Sequence, residues 1–317
     1  MRRLWRTLPG FLRPVVARTL ELALRLSARR AGLILVYHAV RADGATGAER
    51  DVARAHDNAL FEAQLRHVRR RYRLVPAREL LGAVRARRRG ERFPLALTFD
   101  DDLPTHVQTA LPALRIAGAP ATFFLCGASL DRPYAFWWER LQRAVDSGLD
   151  VARVLGEPLA PQTLALRIEE ETPSRRKEIG DELGRLVGED PPGSGMRAKD
   201  VRALAEAGFE IGFHTRRHDR LPPLSDALLR DALSDGRDAL EAAAACRLTM
   251  IAYPHGRADQ RIADAARAAG FEVGFTGAGE AVTARSDALL LSRIEPSFTD
   301  LASFAGQLVD ALLRAQR

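Results

Sequence analysis

The stretch 95–106, "LALTFDDDLPTH", ends an apolar run in three consecutive aspartates. Leu95, Ala96, Leu97 and Phe99 have the pattern of a short buried strand. Asp100, Asp101 and Asp102 stand together where the chain leaves it. Like charges this close are costly unless something positive sits between them. How often such runs recur decides the fold. What supplies the positive charge decides the chemistry.

Comparable runs recur along the chain: "LILVYH" (33–38), "ATFFLC" (121–126), "FEIGFH" (209–214), "LTMIAYP" (248–254), "FEVGF" (271–275) and "LLLSRI" (289–294). Between them lie helical patterns such as "LFEAQLRHVRRRY", "VQTALPALRIAG" and "RIADAARAAG". Many of these stop at glycine, as helix C-termini often do. Alternation of this kind predicts a parallel sheet, open or closed. About seven strands, with polar residues at their C-terminal ends, favour an α/β barrel-like fold with its site on one rim. Residues 136–196 break the rhythm. They are helical and highly charged, and are expected to form an insertion near the rim that ends in the loop "EDPPGSG".

Composition narrows the class. Of the 317 residues, 46% are hydrophobic and 28% charged, as in a soluble globular protein. No run approaches the eighteen or so apolar residues of a membrane span. The formal charge of +7 resides in residues 1–30, which hold eight arginines and a single acid, Glu21. Residues 31–317 are balanced and are expected to form one domain. A nucleic-acid groove is therefore not expected. In the arm, Arg18, Glu21, Arg25 and Arg29 form one polar stripe, and Val15, Leu20, Leu22, Leu24 and Leu26 cover the remaining surface. Two arrangements fit: an amphipathic helix on an anionic membrane surface, with Trp5 near its start, or a helix packed on the domain's own flank. Arginines interrupt every candidate signal-peptide core, so a cytoplasmic location, or a peripheral one at the inner membrane, is expected. Cys126 and Cys246 lack CxxC spacing and are read as packing residues.

Chemistry collects at the strand ends. "FEIGFHTRRHDR" places His214 and His218 four residues apart just after a strand. On a helical turn that spacing puts both imidazoles on one face. Two histidines and a carboxylate are a common divalent-metal set. A cation would hold one aspartate and ease the ionisation of its neighbour. An HxxxH pair or an Asp pair alone is a weak signal; the two together at strand ends of one α/β pattern are much stronger.

At this point the sequence resembles a known family. "TFDD" (98–101), "HTRRH" (214–218) and "YPHG" (253–256), in that order, are similar to the motifs of the polysaccharide deacetylases, the NodB-homology or carbohydrate esterase 4 group. "VYHAV" (36–40) and "LSRIEP" (291–296) resemble the ends of that domain in its polysaccharide-biosynthetic branch. The resemblance implies a distorted (β/α)7-type barrel over residues 31–317. It implies metal-dependent removal of acetyl from an N-acetylated sugar, with an N-acetylated glycan or glycolipid as substrate. By motif position Asp100 is the general base, and Asp101, His214 and His218 bind a divalent metal ion, with zinc the default. The backbone N–H of His255 is the oxyanion donor, and Gly256 lets the chain turn there.

Three departures from the family pattern carry expectations of their own. Asp102 replaces the usual glycine and is expected to cap the following helix. Ala252 replaces an arginine that orients the base, and Arg293, at another strand end, is the expected substitute. The late histidine that serves as general acid is absent from "LLLSRIEPS". His38, at the end of the first strand, is the favoured replacement, as acid or as a hydrogen-bond partner of substrate. His56, His67 and His106 lie in or beside helical segments and are expected at the surface. Phe136, Trp137 and Trp138 follow the third strand. One tryptophan is expected to stack on a sugar ring and the other to anchor the insertion.

The expected activity is thus a sugar N-deacetylase in cell-envelope or exopolysaccharide synthesis. Three rivals stay open: an O-acetyl esterase on the same site, a non-haem iron oxygenase with the same ligand set, and a non-catalytic glycan-binding module. Paired N- and O-acetylated substrates separate the first, and oxygen consumption the second. The intact Asp–Asp–His–His set weighs against the third.

Overall fold

A computed structural model describes residues 13–41, 52, 55–154, 156 and 159–315. Residues 1–12, with Trp5, lie outside the described part of the predicted arm. Each apolar run carries a strand: β1 (Ala31–Tyr37), β2 (Pro94–Asp100), β3 (Thr122–Leu125), β4 (Glu210–Phe213), β5 (Met250–Ala252), β6 (Val273–Thr276) and β7 (Leu291–Ser292). They pair in chain order and are all parallel. Just past β7, Ile294 bridges Leu35 of β1. The Val36 N–H donates to the Ile294 carbonyl at 3.0 Å, and the Ile294 N–H to the Ile34 carbonyl at 2.8 Å. This one bridge brings the two ends of the sheet together, so the barrel is distorted on that side. A short antiparallel strand, Val282–Thr283, pairs with the start of β1.

The strands are buried on both faces, which is why they read as near-continuous apolar runs. Ile34, Ala96, Phe124, Met250, Ala252, Phe275 and Leu291 form an inner cluster. Leu33, Leu35, Leu97, Phe99, Phe123, Leu125, Phe213 and Ile251 pack outward in the larger cluster shared with the helices. Side chains alternate along a strand. Counting from Ala96 through Thr98, Asp100 is therefore the last inward residue of β2, at the C-terminal rim.

The helices are α1 (Arg13–Arg25), α2 (Asn58–Arg71), α3 (Leu80–Ala86), α4 (Leu111–Ala117), α5 (Trp137–Asp146), α6 (Pro161–Glu170), α7 (Pro173–Val187), α8 (Ala198–Glu206), α9 (Asp226–Ser234), α10 (Arg237–Ala244), α11 (Gln260–Ala268) and α12 (Leu301–Arg314). Helix α1 packs along α12 and buries Ala17 and Leu24. Arg29 donates to the carbonyls of Leu312, Leu313 and Ala315 at the end of α12. Buried Arg87 donates to the carbonyls of Arg25, Ser27 and Arg29. One face of α1 is thus packed on the domain's own flank.

Helices α5, α6 and α7 occupy the stretch read as an insertion and share a small core of Leu141, Leu164, Ile168, Ile179 and Leu183. Proline opens both α6 and α7, where no intrahelical N–H is needed, and the Thr172 hydroxyl accepts the Arg175 N–H at the start of α7. Arg140 of α5 grips Asp190 at two points, 3.0 and 2.7 Å, and so holds the "EDPPGSG" loop.

Three expectations are corrected. His56 and His106 are buried, not at the surface. His56 stacks on Phe298 at 4.1 Å, with Nε2 3.2 Å from the Pro296 carbonyl, so a polar partner inside offsets its loss of water. His67 is half-buried between Tyr72 and Phe304. Cys246 is exposed, because the helix before it ends at Ala244 and Ala245 turns left-handed at φ 52°. Among the described residues, no helix is long and apolar enough to cross a membrane.

Candidate active site

The rim brings the three aspartates to three different surroundings. Asp100 is buried and faces Arg293, which follows β7. Nη1 donates to Oδ1 and Nη2 to Oδ2, both at 2.6 Å. Arg293 also reaches Thr98 Oγ1 at 3.3 Å, and its guanidinium lies 5.6 Å from the centre of the Phe124 ring. Burial alone would raise the Asp100 pKa, but Arg293 brings it down to about 2. Asp100 is therefore an anion held in one orientation.

Asp101 has the opposite surroundings. Burial and the charges of Asp100 and Asp102 push its carboxyl well above the usual range. Its Oδ1 is buried without a hydrogen-bond partner among the described residues. It lies 3.6 Å from His214 Nε2 and 3.5 Å from His218 Nε2. His214 Nδ1–H donates to the Ala252 carbonyl at 2.8 Å, which leaves the lone pair on Nε2 facing Asp101. Burial lowers the His214 pKa to about 4 and holds that of His218 well below the ordinary histidine range, so both imidazoles are neutral.

Asp101, His214 and His218 each offer one ligand atom, and these atoms lie within 4.8 Å of one another. A tetrahedral ion with bonds of ~2.1 Å separates its ligands by roughly 3.4 Å. The donor chemistry, the spacing and the orphaned oxygen all fit a divalent cation.

His214 and His218 meet by a different route from a helical turn. Thr215 and His218 take left-handed φ of 55° and 52°, and the His218 N–H donates to the Thr215 carbonyl at 3.3 Å. The tight turn still brings the rings to 4.8 Å. Asp101 (φ 76°) and His255 (φ 58°) are left-handed as well. Of the five described non-glycine residues in this region, only Ala245 lies away from the rim. Backbone strain of this kind collects where side-chain placement matters.

Asp102 is not a cap for the helix that follows. It points across the rim and accepts the N–H groups of Cys126, Gly127 and Ala128 at 2.8, 3.1 and 2.9 Å, plus the Ser129 hydroxyl at 3.4 Å. The loop after β3 offers several unsatisfied donors at once, and a local cap cannot compete with them. Buried His106 sits beneath the turn, with Nε2 2.9 Å from the Asp100 carbonyl and 3.0 Å from that of Asp101. Its ring lies in a π-helical turn, His106–Ala110, at the start of α4. The role of Asp102 has no local signal, since its partners lie 24–27 residues away.

The remaining expected residues border this centre. His38 follows β1, half-buried, in the neighbourhood of Asp100 and His214. The His255 ring is 4.7 Å from that of His218, and its Nδ1 is 3.6 Å from Glu169 of α6. Gly256 needs to be glycine: its φ is +65°, and a Cβ there would come within 2.5 Å of the Gly277 nitrogen. Trp138 stacks on Phe136 at 4.5 Å and presents itself to His218 at 4.9 Å. Trp137 turns away at 90° and packs on the insertion core, with its Cβ beside Gly180. A cavity of about 960 Å³ runs from His218 between α5, α7 and α9, lined by Phe136, Trp137, Arg140 and Arg176 among others.

Three solved structures of similar fold are distant in sequence. Streptococcus pyogenes deacetylase PplD, solved with acetate, superposes with a TM-score of 0.60 at 17% identity, over 89% of this chain and 98% of that one. IcaB from Ammonifex degensii gives 0.58 at 18%, over 87% and 97%. The deacetylase domain of BpsB from Bordetella bronchiseptica gives 0.52 at 15%, over 85% and 97%. No curated protein sequence matches significantly. The polysaccharide deacetylase family model matches residues 87–153 and 182–274, half of the chain, and its interruption falls on α6 and the start of α7. The sequence match and the barrel agree, and the chain belongs to the polysaccharide deacetylase family.

Proposed function

We propose that this protein is a metal-dependent N-deacetylase acting on an amino sugar of a cell-envelope glycan or exopolysaccharide. The observation that carries the proposal is the contrast between two adjacent carboxylates. Asp100 is locked as an anion by Arg293, whereas Asp101 keeps a buried oxygen free between two neutral imidazoles. One is equipped to take a proton and the other to bind a cation.

Asp101, His214 and His218 would hold the ion, with zinc the expected metal. When bound, it polarises the acetamide carbonyl and acidifies a water. Asp100 orients that water and accepts its proton as oxygen adds to the carbonyl carbon. A carboxylate so firmly paired is a weak base, so it suits a water that is already acidic. The His255 backbone N–H donates to the oxyanion of the tetrahedral adduct. As the carbon–nitrogen bond breaks, His38 gives a proton to the leaving amine. Acetate and the free amino sugar result. Trp138 offers a ring face to the sugar beside His218, and Trp137 contributes to the cavity wall.

The test is acetate release from paired N-acetylated and O-acetylated oligosaccharides, by metal-free and zinc-loaded protein. Zinc-dependent release from the N-acetylated member supports the proposal. Release from the O-acetylated member alone makes the protein an esterase. Release that is unchanged by metal removal overturns the mechanism.

A further inference from the structure

Helix α1 is apolar on two opposite sides. Successive helical residues are 100° apart, so Val15, Leu22 and Leu26 fall within about 40° of one another, and Ala17 and Leu24 lie on the far side. Ala17 and Leu24 are the docked face. Val15, Leu22 and Leu26 are 60%, 53% and 58% exposed. One exposed leucine is ordinary. A row of three, opposite the docked face, marks a surface that meets something apolar.

Arginines border the row along one side and at its C-terminal end. Arg18 and Arg25 lie on the same side of it on α1 and are exposed. Arg25 Nε donates to the Gly90 carbonyl at 2.6 Å, and Arg89 Nε to the Leu26 carbonyl at 2.7 Å. The run "RARRRGER" (85–92), with Arg85, Arg88, Arg89 and Arg92 exposed, thus lies against the end of the helix. Arg71 of α2 and Arg92 both lie near enough to act on Glu21. Glu21, the only acid between residues 13 and 30, is buried, and within 85–92 the single exposed acid, Glu91, stands against four exposed arginines.

We propose that this face docks on an anionic lipid bilayer. Val15, Leu22 and Leu26 enter the boundary between headgroups and acyl chains, and the arginines meet lipid phosphates. Charge complementarity selects this occupant. A nucleic acid would leave the apolar row without a partner, and a second copy of the chain would set one cluster of arginines against another. Helix α1 leads into the start of β1, and residues 85–92 into the start of β2. The patch therefore lies toward the end of the barrel opposite the metal triad, so the catalytic rim is directed away from the lipid.

The experiment is co-sedimentation of the full chain with phosphatidylcholine vesicles, with and without phosphatidylglycerol. Retention is expected only with phosphatidylglycerol, and salt is expected to weaken it. The double variant Leu22→Glu/Leu26→Glu is expected to need more than about tenfold more lipid. Arg18→Ser and Arg88→Ser are each expected to weaken retention by about fivefold. Ile116→Glu, a still more exposed apolar site on α4, serves as the control and is expected to behave as wild type. Circular dichroism and zinc stoichiometry establish that each variant is folded. No retention of the wild type overturns the proposal, as does equal retention of the folded double variant. Self-association of the wild type that the double variant abolishes, seen by light scattering without lipid, also overturns it.

Discussion

Arg293 and Asp100 meet in a buried two-point ion pair, 193 residues apart in sequence, with both contacts at 2.6 Å. Arginine's planar fork matches a carboxylate in a way lysine cannot. Arg293→Lys is therefore expected to keep the charge but lose the orientation. Deacetylation should fall by about tenfold to a hundredfold while zinc affinity stays within a few-fold. Arg293→Met leaves an unpaired buried carboxylate and should cost about 3–5 kcal/mol in urea unfolding. Steady-state kinetics beside zinc titration separates the two effects.

Asp101 crowds between two other carboxylates, a cost in the metal-free chain. Asp101→Asn removes that charge at nearly constant shape. The metal-free variant should melt higher than the metal-free wild type, by a few degrees. The rise in melting temperature that zinc gives the wild type should disappear. A metal-free variant that melts lower would mean that Asp101 stabilises the chain without a cation.

Asp102 satisfies three backbone N–H groups and a hydroxyl at once. Asp102→Ala orphans these buried donors and should cost about 3 kcal/mol or more. Asp102→Asn keeps acceptor oxygens at half the positions and should cost less. Urea midpoints of the two variants test the order.

His106 makes stability depend on pH. Burial lowers its folded pKa to about 4, below the ordinary 6.5 expected for the unfolded chain. Between those values the unfolded chain binds the proton more readily. The stabilising effect of a neutral His106 is complete above about pH 6.5 and is lost as pH falls toward 4. From pH of about 7 to about 5 the contribution lost is of order 2 kcal/mol. His106→Gln can still donate to the Asp100 and Asp101 carbonyls but does not titrate. Its stability should fall less than that of the wild type over the same pH range.

The barrel strands were legible because each is buried on both faces and reads as an unbroken apolar run. The antiparallel pairing of Val282–Thr283 was not, because two residues outside any apolar run leave no period. Asp100, Asp101, His214 and His218 stood out because polar residues end apolar runs there. The turn that joins the two histidines did not, since left-handed φ at Thr215 and His218 has no signal in residue type. His106 looked like a surface residue of a polar helix start. Inside, its ring meets two backbone carbonyls of the aspartate turn, five and six residues back, a turn that residue type does not announce. Asp102 was misassigned for a similar reason, because a local cap was visible in the sequence and distant donors were not.

The central claim is that Asp100 takes the proton of the attacking water while its neighbours hold the metal. The most direct measurement is acetate release from N-acetylglucosamine oligomers by zinc-loaded wild type and Asp100→Asn, with zinc stoichiometry determined on the same samples. The variant is expected to bind zinc like the wild type and to release acetate at least about a hundredfold more slowly. A zinc-loaded Asp100→Asn protein that works at the wild-type rate would contradict that claim.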